Sequence, residues 1–201
     1  MFEKDLRRTG IEDRYYPVGS AANHSLLYII LRFMIERRGI DVLDVGSGMT
    51  SLLLSDLAAK ISDTRVTTLE HDPDYAALIS PQISHELVRA PLVPTVIDGR
   101  TVQFYDLAPL KSLRFDLIIV DGPPGTRRWS RFGAVHLFNR YLKDEFLFVL
   151  DDADRKGELD TILTLLKHAR NKTRIAGYRI ISALKSQFLI FTERYRSANF
   201  Y

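Results

Sequence analysis

Apolar residues recur along this chain in two alternating rhythms. Near-continuous apolar runs at residues 115–120 and 145–150, together with segments rich in β-branched residues at 40–45 and 65–69, read as strands of a parallel sheet. Between them lie segments with apolar positions three and four apart. Leu52, Leu53, Leu57 and Ile61 predict a helix over 51–61. Leu159, Ile162, Leu163, Leu166 and Ala169 predict one apolar face of a helix over 158–169. Residues 26–35 predict an amphipathic helix packed on the sheet; the stretch is too short to span a bilayer, and Arg32 interrupts it. Pro73 suits the first turn of a further helix, which Pro81 ends or kinks.

Two regions depart from this alternation. Pro91 and Pro94 break the third strand, and Asp98-Gly99 between Val96, Ile97 and Val102 predicts a small inserted hairpin. Near the end, apolar runs at 178–184 and 188–192 are separated only by Lys185 to Gln187. So short a link permits only an antiparallel hairpin. The expected fold class is α/β: a Rossmann-like, mostly parallel seven-stranded sheet with helices on both faces and a C-terminal antiparallel hairpin. One domain over 1–201 is expected, with a helical lid at 1–38, the core at 39–193 and a tail at 194–201. Tyr15, Tyr16 and Asn23 precede the lid helix, and the aromatic tail Asn199-Phe200-Tyr201 either docks on a partner or stays loose.

Composition narrows the chemistry. The chain has 201 residues, 46% of them hydrophobic, enough for one sizeable core. There is no cysteine, which removes disulfides, thiolate nucleophiles and zinc–cysteine sites. A net charge of +3 does not by itself imply a nucleic-acid partner, and a small-molecule substrate is expected. Met1 to Arg8 is highly charged with no apolar run after it, so a cytoplasmic location with no membrane association is expected. Oligomeric state is not legible.

Three clusters carry candidate chemistry. The first strand runs into Asp44-Val45-Gly46-Ser47-Gly48. Glycines turn the backbone sharply and admit a ligand where a Cβ would stand. A dinucleotide fingerprint would place a third glycine at position 51, where Ser51 stands, which weakens a nicotinamide reading. Asp44 matches an acidic-x-Gly-x-Gly pattern; its carboxylate can hold an ammonium group or cap the turn. Glu70 ends the second strand, where an acid can accept both hydroxyls of a ribose. His71 beside it can border the nucleoside or be a plain loop residue. Asp106 follows the predicted hairpin.

The third cluster is sharper. Asp121 ends one central strand in Asp121-Gly122-Pro123-Pro124-Gly125, and Asp151 and Asp152 end the next. If these strands are neighbours, three carboxylates meet and repel unless protons or a cation intervene. Oxygen-only ligands suit Mg²⁺ first. The alternative is capping of the following helix by Asp151 or Asp154. Arg127 and Arg128 lie in the loop after Asp121 and can face an anionic substrate or simply be solvated. Lys167, His168, Arg170, Lys172 and Arg174 form a basic cluster that an RNA-binding reading would use; a solvated helix end is the plainer account.

Together, Asp44-Val45-Gly46-Ser47-Gly48, Glu70-His71-Asp72, Val120 to Gly125 and Leu150-Asp151-Asp152-Ala153 resemble the class I S-adenosylmethionine (SAM)-dependent methyltransferases. The likeness is closer to small single-domain bacterial enzymes with Asp-Gly-Pro and Asp-Asp-Ala motifs, and it spans residues 15–193. It implies SAM as cofactor, bound by Asp44, Gly46, Ser47, Gly48, Glu70, His71 and Asp106. In metal-dependent O-methyltransferases of this kind the strand-end acids bind Mg²⁺. That implies Asp121, Asp151 and Asp152 as ligands, with Asp121 the catalytic one, and a hydroxyl acceptor on a small molecule or sugar. One departure stands out: no lysine lies near Asp121 to act as a base, and arginine is too basic to accept a proton. Rival readings are an RNA methyltransferase, a nicotinamide-dependent oxidoreductase and a non-catalytic SAM-binding module.

Overall fold

The structure is a computed structural model; it describes residues 1–16, 22–126, 128–172 and 174–201. Its centre is strand β6 (Phe115–Val120), buried at every position. β1 (Asp41–Val45) lies parallel to it on one side and β7 (Leu142–Leu150) on the other. β2 (Arg65–Glu70) and the short β3 (Glu86–Arg89) extend the sheet beyond β1, both parallel. β9 (Gln187–Thr192) runs antiparallel between β7 and the edge strand β8 (Ile175–Ile181). The sheet order is β3-β2-β1-β6-β7-β9-β8, seven strands with one reversed, as the sequence led us to expect.

Alternation along each strand sends side chains to two cores. Val42, Leu117, Ile119, Leu147 and Val149 face one layer, with helices α1 (Phe2–Arg8), α2 (His24–Glu36) and α3 (Met49–Ala58). Leu43, Val45, Ile118, Val120, Phe148 and Leu150 face the other, with α5 (Ala134–Arg140) and α6 (Leu159–Ala169). α4 (Pro73–Ile79) follows β2, capped by Asp72 and opened by Pro73. α1 and α2 belong to a packed layer, and the first turn of α2 is what reaches the carboxyl edge of the sheet, through its cap Asn23. Tyr15 is fully buried and bonded to Asp56, whereas Tyr16 is exposed.

The predicted hairpin is present as β4 (Leu92–Ile97) and β5 (Arg100–Tyr105). Asp98 and Gly99 both have positive φ, 47° and 75°, as a two-residue turn of this type requires. The pair forms its own two-stranded sheet, in which Pro94 is tolerated opposite Gln103. It covers the core where a crossover helix usually packs.

Two expectations shift. On α6 the buried residues are Thr161, Ile162, Leu165 and Ala169, while Leu159 and Leu163 are exposed. The helix is turned by buried Glu158 at its start, which accepts from Thr161 and Ser130 and draws that side inward. The edge strand starts at Ile175, three residues earlier than its apolar run, and Leu184 lies exposed in the connecting turn. Pairing of Ile175 with Thr192 and Ile181 with Gln187 sets this register, so the apolar content of 182–184 does not. The tail docks on its own chain: Tyr195 is buried and donates to Asp116, and Tyr201 donates to Glu36.

Candidate active site at the carboxyl edge of the sheet

Parallel strands bring their carboxyl ends to one edge, so β1, β2, β6 and β7 deliver Asp44, Glu70, Asp121, Asp151 and Asp152 there, whereas Asp106 follows β5 of the separate hairpin. The glycine loop follows β1. Gly46 has φ of 98°, and a Cβ on it would lie 2.8 Å from the Gly122 nitrogen. The loops after β1 and β6 therefore touch backbone to backbone. Gly122 and Asp121 N–H groups both donate to Val45 O, at 2.7 and 3.0 Å.

Asp44 lies beneath this loop, fully buried. Its oxygens accept from Thr50 at 2.9 Å, Ser51 at 2.5 Å and Thr68 at 3.2 Å. It braces strand, loop and helix from within, and its oxygens are turned to hydroxyls rather than toward the crevice. Ser51, in the third-glycine position, is likewise buried and committed to this bond. Burial pushes the Asp44 carboxyl up to about 7, helped by Glu70 and opposed by the three hydroxyls.

The sign of the resulting pH dependence is fixed. Between the ordinary carboxylate value and 7 the folded chain keeps a proton that the unfolded chain has released, so stability falls as pH rises through this window. Asp44→Asn, which cannot ionise, is expected to gain on the wild type by about 2–3 kcal/mol between pH 5 and pH 8. Urea melts of both proteins across that range check it; a pH-independent difference would refute the shift. His85, which contacts Thr68 at 2.9 Å and is lowered to about 4 by burial, acts oppositely and is common to both proteins.

Glu70, also buried, joins β2 to the glycine loop. One oxygen accepts from Ser47 N–H at 2.9 Å and Ser47 Oγ at 2.7 Å. The other accepts from the N–H groups of His71 and Asp72, at 2.7 and 2.8 Å. Gly48 N–H turns back to Ser51 Oγ at the start of α3. The His71 ring meets Tyr105 edge-on at 5.6 Å. A cleft of about 430 Å³ opens beside it, lined among others by His71, Gln103, Pro123, Thr126, Arg128 and Trp129. Asp106 does not line it; its Oδ1 accepts from Ala108 N–H and caps a turn. Arg128 is held by Asp160 and lies over the Trp129 ring, whose Nε1 also donates to Asp160. Arg127 falls outside the described residues.

One strand further on, the acids converge. Asp121, Asp151 and Asp152 each offer an oxygen within 4.8 Å of the others. A buried residue missed in the sequence, Arg131, runs between them. It donates to Asp121 O at 2.5 Å and Asp151 O at 2.6 Å, and pairs with Asp152 Oδ2 at 2.7 Å and Asp121 Oδ1 at 3.3 Å. Arg155 adds a second ion pair to Asp152 Oδ2 at 2.9 Å. Asp152 has φ of 56°, a left-handed conformation aspartate tolerates, at the point where its carboxylate meets both guanidiniums. Burial and neighbouring Asp151 push the Asp121 carboxyl well above the usual range, against the pull of Arg131.

The donor set fits a hard divalent ion. Asp121 and Asp152 are each tied to the protein through one oxygen, and Asp151 Oδ1 is tied to Gln187 at 2.7 Å. Asp151 Oδ2 is buried with no hydrogen-bond partner. A buried carboxylate oxygen without a donor is costly unless a cation or proton meets it.

The basic cluster lies elsewhere. It sits at the end of α6 and the start of β8, at the opposite edge of the sheet. His168 is bonded to Asp98, Lys172 lies over Phe138 and Arg174 is paired with Asp144 and Glu145. Among the described residues, no helix is long and apolar enough to cross a membrane.

No protein-family model matches the sequence, and no curated protein matches it. Solved structures do match its fold. An O-methyltransferase from Bacillus cereus, in complex with SAH, superposes with a TM-score of 0.59 at 15% identity, over 95% of this chain and 90% of that one. The O-methyltransferase TomG from Streptomyces achromogenes, involved in tomaymycin synthesis and in complex with SAM, gives 0.56 at 11% identity over 94% and 86%. A methyltransferase from Pyrococcus furiosus gives 0.54 at 20% identity over 95% and 93%. The chain therefore has the Rossmann-like fold of the class I methyltransferases.

Proposed function

We propose that this chain is a SAM-dependent methyltransferase that methylates a hydroxyl of a small molecule or sugar, with Mg²⁺ held by Asp121, Asp151 and Asp152. The observation that carries the reading is a juxtaposition. The Gly46 loop and Glu70 meet at the carboxyl edge, and the three acids stand one strand away, so a ligand lying on the loop presents its far end to them.

SAM supplies an activated methyl group on a sulfonium. Glu70 offers both oxygens to the ribose, with Ser47 Oγ giving up its place on one of them. The cleft beside His71 takes the adenine, with Pro123 and Trp129 as apolar wall. Gly46 and Gly48 let the main chain approach the amino-acid end. Asp44 acts from below by fixing the loop. A divalent ion held by Asp121, Asp151 and Asp152 would lower the pKa of a bound hydroxyl, whose proton would leave to solvent as the methyl group passes from sulfur to oxygen. The chain's own part is alignment of acceptor oxygen, methyl carbon and sulfur in one line, with Arg131 and Arg155 keeping the carboxylates in place.

Ser51 in the third-glycine position favours this over the nicotinamide reading, and the placement of the basic cluster at the opposite edge of the sheet, with His168 and Arg174 paired to acids, favours it over the RNA reading. Calorimetry with SAM, with and without Mg²⁺, followed by a screen of hydroxyl acceptors is the test. Micromolar SAM binding and EDTA-sensitive methyl transfer are expected. Turnover that survives EDTA and Asp→Asn replacement of all three acids would sink the metal-assisted mechanism; NADH binding without SAM binding would sink the whole reading.

A further inference from the structure

A carboxylate turns easily about its last torsion, because that rotor is broad and roughly two-fold. The backbone of Asp151 therefore does not decide where its second oxygen points. What decides is the hydrogen bond on the first. That bond comes from Gln187, the fully buried first residue of β9, outside every acidic motif.

The Gln187 amide has several partners. Nε2 donates to Asp151 Oδ1 at 2.7 Å and also approaches Lys185 O at 3.0 Å and Asn23 Oδ1 at 3.2 Å. Oε1 accepts from Ser25 Oγ at 2.6 Å. Asn23 is at the same time the cap of α2, its Oδ1 accepting from Leu26 N–H at 3.1 Å. One neutral side chain thus joins the end of β7, the β8–β9 turn and the first turn of α2. On the far side of the same carboxylate, Asp151 Oδ2 is buried without a hydrogen-bond partner, and Asp151 offers an oxygen within 4.8 Å of ones from Asp121 and Asp152.

We propose that Gln187 is a positioning residue for the acid cluster. It holds Asp151 in the orientation that presents Oδ2 to a divalent cation, and it makes that orientation depend on the docking of the first turn of α2. The inference rests on the divalent-cation reading of Asp121, Asp151 and Asp152. Gln187 is the informative anchor because it is uncharged. Removing Arg131 would change orientation and charge together, with opposite effects on a cation; removing Gln187 takes one donor from Asp151 Oδ1 and leaves the charge of the cluster as it was.

The test is Mn²⁺ binding followed by electron paramagnetic resonance, beside SAM calorimetry and thermal melts, on the whole chain. Gln187→Met preserves volume and charge. It is expected to weaken Mn²⁺ at least about tenfold, the usual cost of losing an outer partner of a metal ligand. SAM affinity is expected to stay within about twofold, since the two sites share no contact through this amide. Asn23→Ser keeps a capping hydroxyl but cannot reach Gln187. It is expected to weaken Mn²⁺ less, and the double variant no more than Gln187→Met alone, because the path runs through one amide. Asn23→Ser also carries the test if Gln187→Met folds poorly. Unchanged Mn²⁺ affinity in both variants overturns the proposal and leaves the cation reading standing. A wild type that binds SAM but no Mn²⁺ overturns both the cation reading and this proposal, while the methyltransferase reading survives.

Discussion

Replacing Glu70 with alanine is expected to weaken SAM at least about 100-fold, seen as loss of a micromolar isotherm in calorimetry. Glu70 is asked to do two things at once. In the proposed reading it receives the ribose, and before any ligand arrives it holds the N–H groups of Ser47, His71 and Asp72. A charge-assisted hydrogen bond contributes about 1.5–3 kcal/mol, and an orphaned donor costs a similar amount. Two lost ribose contacts alone account for the hundredfold, and loosening of the glycine loop adds to it. Glu70→Gln keeps the shape and loses the charge, so it is expected to fall between. An alanine variant that binds SAM as tightly as the wild type would place the cofactor somewhere other than this crevice.

Gly46→Ala is expected to be as damaging to binding and more damaging to the fold. A residue held at φ of 98° is strained unless it is glycine, a cost of about 1–3 kcal/mol. The new Cβ would also stand 2.8 Å from the Gly122 nitrogen, against backbone that has no rotamer to yield. The loops after β1 and β6 must then part, which breaks the backbone contact between them. A loss of about 3 kcal/mol or more in urea melts is expected, with a fall in Tm of roughly 6–12 °C for a chain of this size. Gly99→Ala is the control. Gly99 also has positive φ, 75°, but nothing lies within 4 Å of the added Cβ. It is expected to cost only the strain, about 1 kcal/mol, and to leave SAM binding intact. Equal effects at the two positions would show that close approach of the loops plays no part.

The sequence was most legible where one residue type has one job. The Asp98-Gly99 turn, the near-continuous apolar run of β6 and the short link before β9 each admit a single local geometry, and the strands they imply bring Glu70, Asp121, Asp151 and Asp152 to one edge. It was least legible where a choice is made by a distant partner. Leu159 and Leu163 match the helical period as well as the buried face of α6 does; the Glu158–Ser130 bond, across 28 positions, selects between them. Among Arg127, Arg128 and Arg131, spacing gives no hint of which folds inward. A cue was present in the charge balance: carboxylates gathered at two adjoining strand ends call for a counter-charge, and Arg131 is near enough in the chain to supply it. Gln187 left no such cue, since a glutamine opening an edge hairpin has the look of an exposed residue until its place on β9 is known. The hydroxyl partners of Asp44 and the turn that Asp106 caps were not legible in the motifs, because both depend on the folded placement of the loops around them.

Trp129 gives this molecule a built-in optical gauge. It is the chain's sole indole. It walls the cleft assigned to adenine, with cations from Arg100 and Arg128 against its ring and Asp160 at its nitrogen. Emission from the unlabelled protein is therefore a one-site signal, and any molecule that fills the cleft must alter the brightness or colour of that fluorophore.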